Sequence, residues 1–451
     1  MRFARYIQWM SRCCLVICGV VFFSIPVASG DDPTPIPSGT TLQTRVAPND
    51  PALPENFPDK YAWQLFVQVN QRAATQGPVG GDPAKVTNNA LWETWADDQL
   101  TFPDKPNPDS PPKWPSDAVF LKTVNRVPFG SGIHGRGPSA APVVDVGKLD
   151  PAGFASPNGV GEEIHRNKVT FDYIIENDLW YQEGIAKFFT TSAKDANDPV
   201  KFTQVAVNFP IDSIEVKGNW IPISESDKSK FHWNYNADGQ LLGLVAMHIS
   251  SKALPNWFWS TFEHEDNPGL GDYIGIHDSF GADPAHTPSN TSKLGQVYPP
   301  SRMTPELLDL LEKNGFGLSN SWGEEWRHYR LKGSQVDFTD SAGRPLLLGN
   351  SVTEAGFVMT ASCITCHSRA AVTAKGASSY PVFGEKQSLP LGGITQQGAI
   401  GSQASLVNTY NGPPDPAWFF HFSGKGTRLL NLQTDFVWAI PFRAKPANPQ
   451  P

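Results

Sequence analysis

The chain has 451 residues, 39% of them hydrophobic and 18% charged, with a formal charge of −8 at pH 7. That balance fits a folded globular protein, and the negative net charge argues against a nucleic-acid partner, whose phosphates require a basic surface. The 41 prolines and 39 glycines imply many turns, and the length allows one large domain or two to three ordinary ones.

Residues 1–29 read as a secretory signal peptide. Arg2, Arg5 and Arg12 form a basic start, residues 13–27 an apolar run, and Ala28 and Ser29 precede Asp31 and Asp32. The run is shorter than the roughly 20 residues that span a bilayer, and no later stretch is apolar enough to cross one. An exported protein with no stable membrane span after cleavage is therefore expected. Residues 30–56 are rich in Pro, Thr, Ser and Asp without periodicity, which reads as a flexible linker.

A β-rich body is expected over 57–300. Tyr61, Ala62, Leu65, Phe66 and Val69 recur at helical spacing from Asp59 onward, and a second short helix is expected around Leu91, Trp92 and Trp95. Prolines between Phe102 and Pro115 enforce an extended, exposed loop. Alternation predicts a strand over 202–209, and runs bounded by Gly-, Pro- and Asn-rich turns predict further strands over 213–223, 240–250 and 256–265, with a tight turn at Asp238 and Gly239. The region 301–451 is expected to pack on this body. Thr304 caps a helix there, Pro305 opens it, and Gly315 ends it. A helix is predicted over about 351–367 and a last strand over 436–442. The fold class is α+β, a β-rich body with peripheral helices and a C-terminal helical and loop region.

That C-terminal region contains Cys363-Ile364-Thr365-Cys366-His367. Cys-x-x-Cys-His is the attachment pattern of a c-type haem: each thiol adds across a porphyrin vinyl group, and the adjacent imidazole ligates iron from the proximal side. The chain has five cysteines, of which Cys13, Cys14 and Cys18 fall in the signal segment. No disulfide framework remains unless Cys363 and Cys366 pair with each other. A structural zinc wants four ligands and no second Cys-x-x-Cys exists, while no βαβ pattern leads into the motif as a redox dithiol would require. One covalent haem c is the expected cofactor, and no internal repeat suggests another.

The sixth iron position is less determined. No methionine follows His367; Met247, Met303 and Met359 all precede it. Met359 stands one helical turn before Cys363, on the attachment side. The candidates are a histidine or methionine of the β-rich part, with His264 first and then Met247 or His248, or an open position. His264 shares a strand face with Phe258 and Phe262, while Trp257, Trp259 and Glu263 point the other way. The plain alternative is that His248 and His264 are hydrogen-bonded within a sheet. Glu263 and Glu265 read as a polar face beside a turn. Arg327, His328, Arg330 and Lys332 read as a solvated helix face, or as partners for haem propionates.

Several strings carry a family resemblance: AWQLFVQVN at 62–70, LWETW at 91–95, IEVKGNW at 214–220, MHISSK at 247–252, WSTFEH at 259–264, LGNSVTE at 348–354 and TDFVW at 434–438. With the haem motif, the chain resembles the large exported mono-haem proteins of the cytochrome c family in Gram-negative bacteria. The resemblance covers nearly the whole mature chain and implies one integrated architecture. The expected function is a periplasmic mono-haem cytochrome acting in electron transfer with a periplasmic redox partner protein. The alternative is a haem-c oxidoreductase with an open distal position and a small-molecule substrate pocket in the β-rich body.

Overall fold

Strands buried on both faces organise the computed structural model. It describes residues 52–115, 125–127, 160–267, 277–283, 302–317, 323–354, 361–379 and 413–447, apart from positions 75, 80, 197, 199–200, 202–205, 237, 344–345 and 425. The signal segment, residues 30–51 and Met359 lie outside the described residues. In chain order the strands of the main sheet are β1 (Ala96–Asp97), β2 (Asn125–Val127), β3 (Val160–Arg166), β4 (Ile214–Pro222), β5 (Trp233–Tyr235), β6 (Leu241–Ser251), β7 (Phe258–His264) and β8 (Tyr329–Gln335). Their order is β8-β7-β6-β4-β3-β1, with β2 also pairing β3 and β5 also pairing β6. Every pairing is antiparallel. All the described residues belong to one compact unit, Arg45–Pro451.

The helices flank this sheet: α1 (Pro58–Val69), α2 (Lys168–Glu176), α3 (Gln182–Asp195), α4 (Pro305–Lys313), α5 (Cys363–His367) and α6 (Ala439–Arg443). The fold is thus mixed α+β, an antiparallel sheet with peripheral helices. Helix α1 starts at a proline, whose missing N–H costs nothing there, and packs its apolar stripe on one face of the sheet. Tyr61 meets Phe258 at 4.8 Å and Phe66 meets Phe262 at 4.5 Å between ring centroids. Helix α4 is capped by Thr304, whose Oγ1 accepts from the Leu307 N–H at 3.2 Å. It buries Leu307 and Leu311 in the same cluster. Among the described residues, no helix is long and apolar enough to cross a membrane.

Because side chains alternate along a strand, the opposite face carries a different set. All seven residues of β7 are buried, so the sheet is covered on both sides. The second cover comes from α3 and the C-terminal segments, whose Leu348, Ile364, Val372, Phe436 and Ile440 join Trp257 and Trp259 in one apolar cluster.

Five expectations are corrected. Residues 206–209 form no strand, although Val207 and Phe209 are both buried. The segment expected as a last strand turns at Asp435 and Phe436, with φ of 48° and 69°, and continues as α6. A short apolar run does not distinguish strand from buried helix. The helix expected over 351–367 is described only as α5, with turns at 351–354. The basic run after Trp326 is a 3-10 turn leading into β8, not a helix face. Arg330 and His328 both meet Glu265 at 2.6 Å, and Lys332 lies 3.5 Å from Glu263 with both side chains sealed from solvent. The end of the linker also forms a helical turn, Leu53–Asn56.

Candidate cofactor site at the CxxCH helix

Helix α5 is seated by the end of β8. Gln335 donates Nε2 to Ser362 Oγ at 3.1 Å and accepts the Ile364 N–H on Oε1 at 3.0 Å. First-turn N–H groups have no partner inside a helix, so Gln335 satisfies one and fixes the helix against the sheet. Leu348 N–H donates to Ala361 O at 3.0 Å, and Ile364 anchors the helix in the apolar cluster.

So placed, Cys363, Cys366 and His367 line a slot whose other wall is the sheet, with Lys217 of β4, His248 of β6 and Trp259 of β7. The slot encloses about 810 Å³ including its open mouth. Beyond the motif, its ionisable lining is Glu215, Lys217, His248 and Glu354.

The His367 ring is held at one nitrogen. Nδ1 lies 2.8 Å from the Phe436 carbonyl. A carbonyl only accepts, so Nδ1 carries the proton and Nε2 keeps its lone pair. Burial pushes the imidazole pKa down to about 4, against the effect of that hydrogen bond and with help from the charges of Lys217 and His248. The ring is neutral at neutral pH. Trp259 lies 4.6 Å from it.

Both cysteines are free thiols. Burial raises the Cys363 pKa well above its usual range, and Glu354 and Cys366 add to the effect. Burial also pushes Cys366 up to about 12. Dithiol exchange sites do the reverse, lowering a cysteine's pKa. Among the described residues, no group of three or more His, Cys, Asp or Glu side chains is arranged to hold a metal ion.

Glu354 is aimed by its own loop. Asn350 Oδ1 accepts the Val352 and Thr353 N–H groups at 2.9 and 2.7 Å, closing a turn, and Glu354 Oε2 accepts the Asn350 N–H at 2.7 Å. Glu354 Oε1 then lies 3.3 Å from His248 Nε2. Burial opposes ionisation of Glu354, but His248, the Asn350 N–H and Lys217 outweigh it and hold the pKa below the ordinary value. Lys217 lies 3.1 Å from Glu162. Burial disfavours its charge, yet Glu162, Glu354 and Glu215 raise its pKa. Glu215, raised mainly by burial, pairs with Arg166 at 3.2 Å.

No protein-family model, curated protein or solved structure matches the chain.

Of the distal candidates, only His248 lines the slot. Met247 projects to the other face, where Asn70 donates to its sulfur at 3.6 Å. His264 lies on that same face. Its ring stacks on Phe231 at 3.8 Å, Nε2 donates to Lys230 O at 3.0 Å, and Nδ1 accepts the Asp266 N–H at 3.1 Å. The alternation read for His264 with Phe258 and Phe262 holds, but the face that meets α5 is the one carrying Trp259. Glu215, Lys217 and Glu354 were not singled out from sequence. The signal was the strand register, which puts Lys217 opposite His248.

Proposed function

We propose that this chain is an exported, periplasmic mono-haem c-type cytochrome working in electron transfer. One haem c would be tethered by Cys363 and Cys366, with His367 as proximal iron ligand. The observation that carries this reading is the His367 ring, whose Nδ1 is committed to Phe436 O while Nε2 has no hydrogen-bond partner among the described residues, on one short helix with both cysteines. The donor set fits the group: two free thiols and one neutral imidazole on a single helix, facing a slot walled by Trp259 and Trp438. Bound haem would supply a one-electron iron couple. The protein's part is to hold the ring, orient the imidazole and limit water around it. The basic and apolar opening residues support export, and a periplasmic redox protein is the expected partner.

For the distal side the reading favours His248 over His264 and Met247. His248 shares the slot with the motif, and its buried Nδ1 has no hydrogen-bond partner among the described residues. A second reading, a haem-c oxidoreductase with an open distal position, is favoured by the His248–Glu354 and Lys217–Glu162 pairs, which could hold or move protons beside a small substrate.

The test is periplasmic production with c-type maturation, followed by intact-mass measurement and optical spectra. The mass of one added haem is expected, lost in Cys363→Ser with Cys366→Ser. A bare wild-type polypeptide overturns the reading. A ferrous spectrum unmoved by carbon monoxide supports electron transfer, and one that shifts supports the second reading.

A further inference from the structure

The carbonyl that orients His367 sits on unusual backbone. Asp435 and Phe436 have φ of 48° and 69°, and Trp257, which packs in the same cluster, has φ of 60°. Non-glycine residues seldom adopt this left-handed region, and such conformations persist only where the surroundings impose them.

A buried ion pair anchors this segment. Lys252 Nζ donates to Asp435 Oδ1 at 2.7 Å, with side chains only 8% and 7% exposed. Asp435 Oδ2 accepts the Phe209 N–H at 2.7 Å. Lys252 is itself held by donation to Pro255 O at 2.9 Å. Lys252 directly follows β6 and Trp257 directly precedes β7, so the pair fastens the β6–β7 turn to a segment 183 residues away in sequence. The same turn leads into Trp259, which lies 4.6 Å from the His367 ring and 6.0 Å from Phe436.

We propose that Lys252 and Asp435 are positioning residues whose ion pair holds the Phe436 carbonyl against His367 Nδ1, fixing the imidazole's orientation and donor strength toward iron. This rests on the reading of His367 as proximal haem ligand. An Nδ1–H donated to a carbonyl raises the basicity of Nε2, which favours Fe(III) over Fe(II). Loosening the carbonyl should favour Fe(II).

The competing account is a buried pair that stabilises the fold and acts on iron only as two charges. Neutralisation separates them. As charges alone, Asp435→Asn favours Fe(II) and Lys252→Met favours Fe(III). As positioning residues, both variants favour Fe(II), by up to about tenfold in the Fe(II)/Fe(III) ratio, or ~59 mV for a one-electron couple. Reduction potentials are measured on protein shown by mass to carry one haem. The charge-conserving Lys252→Arg and Asp435→Glu cover the case in which the neutral variants fail to fold: charges alone predict no shift, positioning a smaller shift toward Fe(II). Shifts of opposite sign, or none, in haem-loaded protein overturn this inference alone. A wild-type protein without haem overturns the reading beneath it.

Discussion

One face of the central sheet is closed mainly by rings, while the other, under its own apolar cover, presents a row of ionisable groups to a slot. Under α1, Phe66 lies 4.5–5.5 Å from Phe262, Trp63 and Trp326, and His264 on that side is stacked and hydrogen-bonded at both ring nitrogens. Under α5, the same strands present Glu215, Lys217 and His248, joined by Glu354 from the facing loop. Contact area holds the first face together. On the second, each charge depends on a partner supplied by another strand or loop, so its groups are placed exactingly and leave space between them. The difference separates what a sheet needs for stability from what it can offer a cofactor.

The largest effect expected from this contrast is at Phe66, whose side chain is fully buried. Phe66→Ala should cost about 3–5 kcal/mol, because the aromatic cluster cannot collapse around the missing ring. Urea unfolding measures it, and the haem content and spectrum of the folded fraction should match the wild type. A spectral change would mean that the two faces are coupled, and the contrast would fail.

The next effect is a pH dependence on the aromatic side. Burial pushes His264 down to about 4, and its neutral form is complete, one nitrogen donating and the other accepting. The unfolded chain protonates first, near 6.5. Stability from this residue is therefore intact above 6.5 and falls as the pH drops toward 4, by on the order of 3 kcal/mol. His232 behaves oppositely. It lies between Glu93 at 3.0 Å and Glu325 at 3.8 Å. Burial opposes its charge, but those carboxylates raise its pKa. Its contribution is present below the unfolded value and is lost as pH rises through the folded one. Chemical denaturation across pH 4.5–8.5 should show opposite slopes removed by His264→Asn and His232→Gln; equal slopes in wild type and His264→Asn would refute the first assignment.

Much of the ring-lined face was legible in the sequence. Tyr61, Leu65, Phe66 and Val69 announce α1 by their spacing, which records burial on one side of a helix, and β4, β6 and β7 follow from runs bounded by turn residues. The cysteines and His367 were legible for another reason, a fixed chemical spacing. The ionisable slot was not, although its residues fall in strings that carry the resemblance: Glu215 and Lys217 in IEVKGNW, His248 in MHISSK, Glu354 in LGNSVTE. What brings them together is register between strands and a loop about a hundred residues away, which no local period encodes. The Tyr329–Gln335 strand was hidden likewise. Its Arg330 and Lys332 look solvated until Glu265 and Glu263 on the neighbouring strand are known.

The sharpest test of the contrast is at His248, where the expected stability change is smaller. His248→Ala removes the group beside Asn350 Nδ2 at 3.2 Å and Glu354 Oε1 at 3.3 Å. Leaving buried polar groups short of a partner should cost about 1–3 kcal/mol, less than the loss of Phe66. The spectroscopic consequence should have the reverse ranking. In haem-loaded protein, His248→Ala should alter the ferric and ferrous spectra, because His248 shares the slot with His367. His264→Ala should leave them unchanged, because that ring lies on the far face against Phe231. The opposite result, a spectrum altered by His264→Ala and untouched by His248→Ala, would put iron chemistry on the ring-lined side, and the division of labour between the two faces would have to be abandoned.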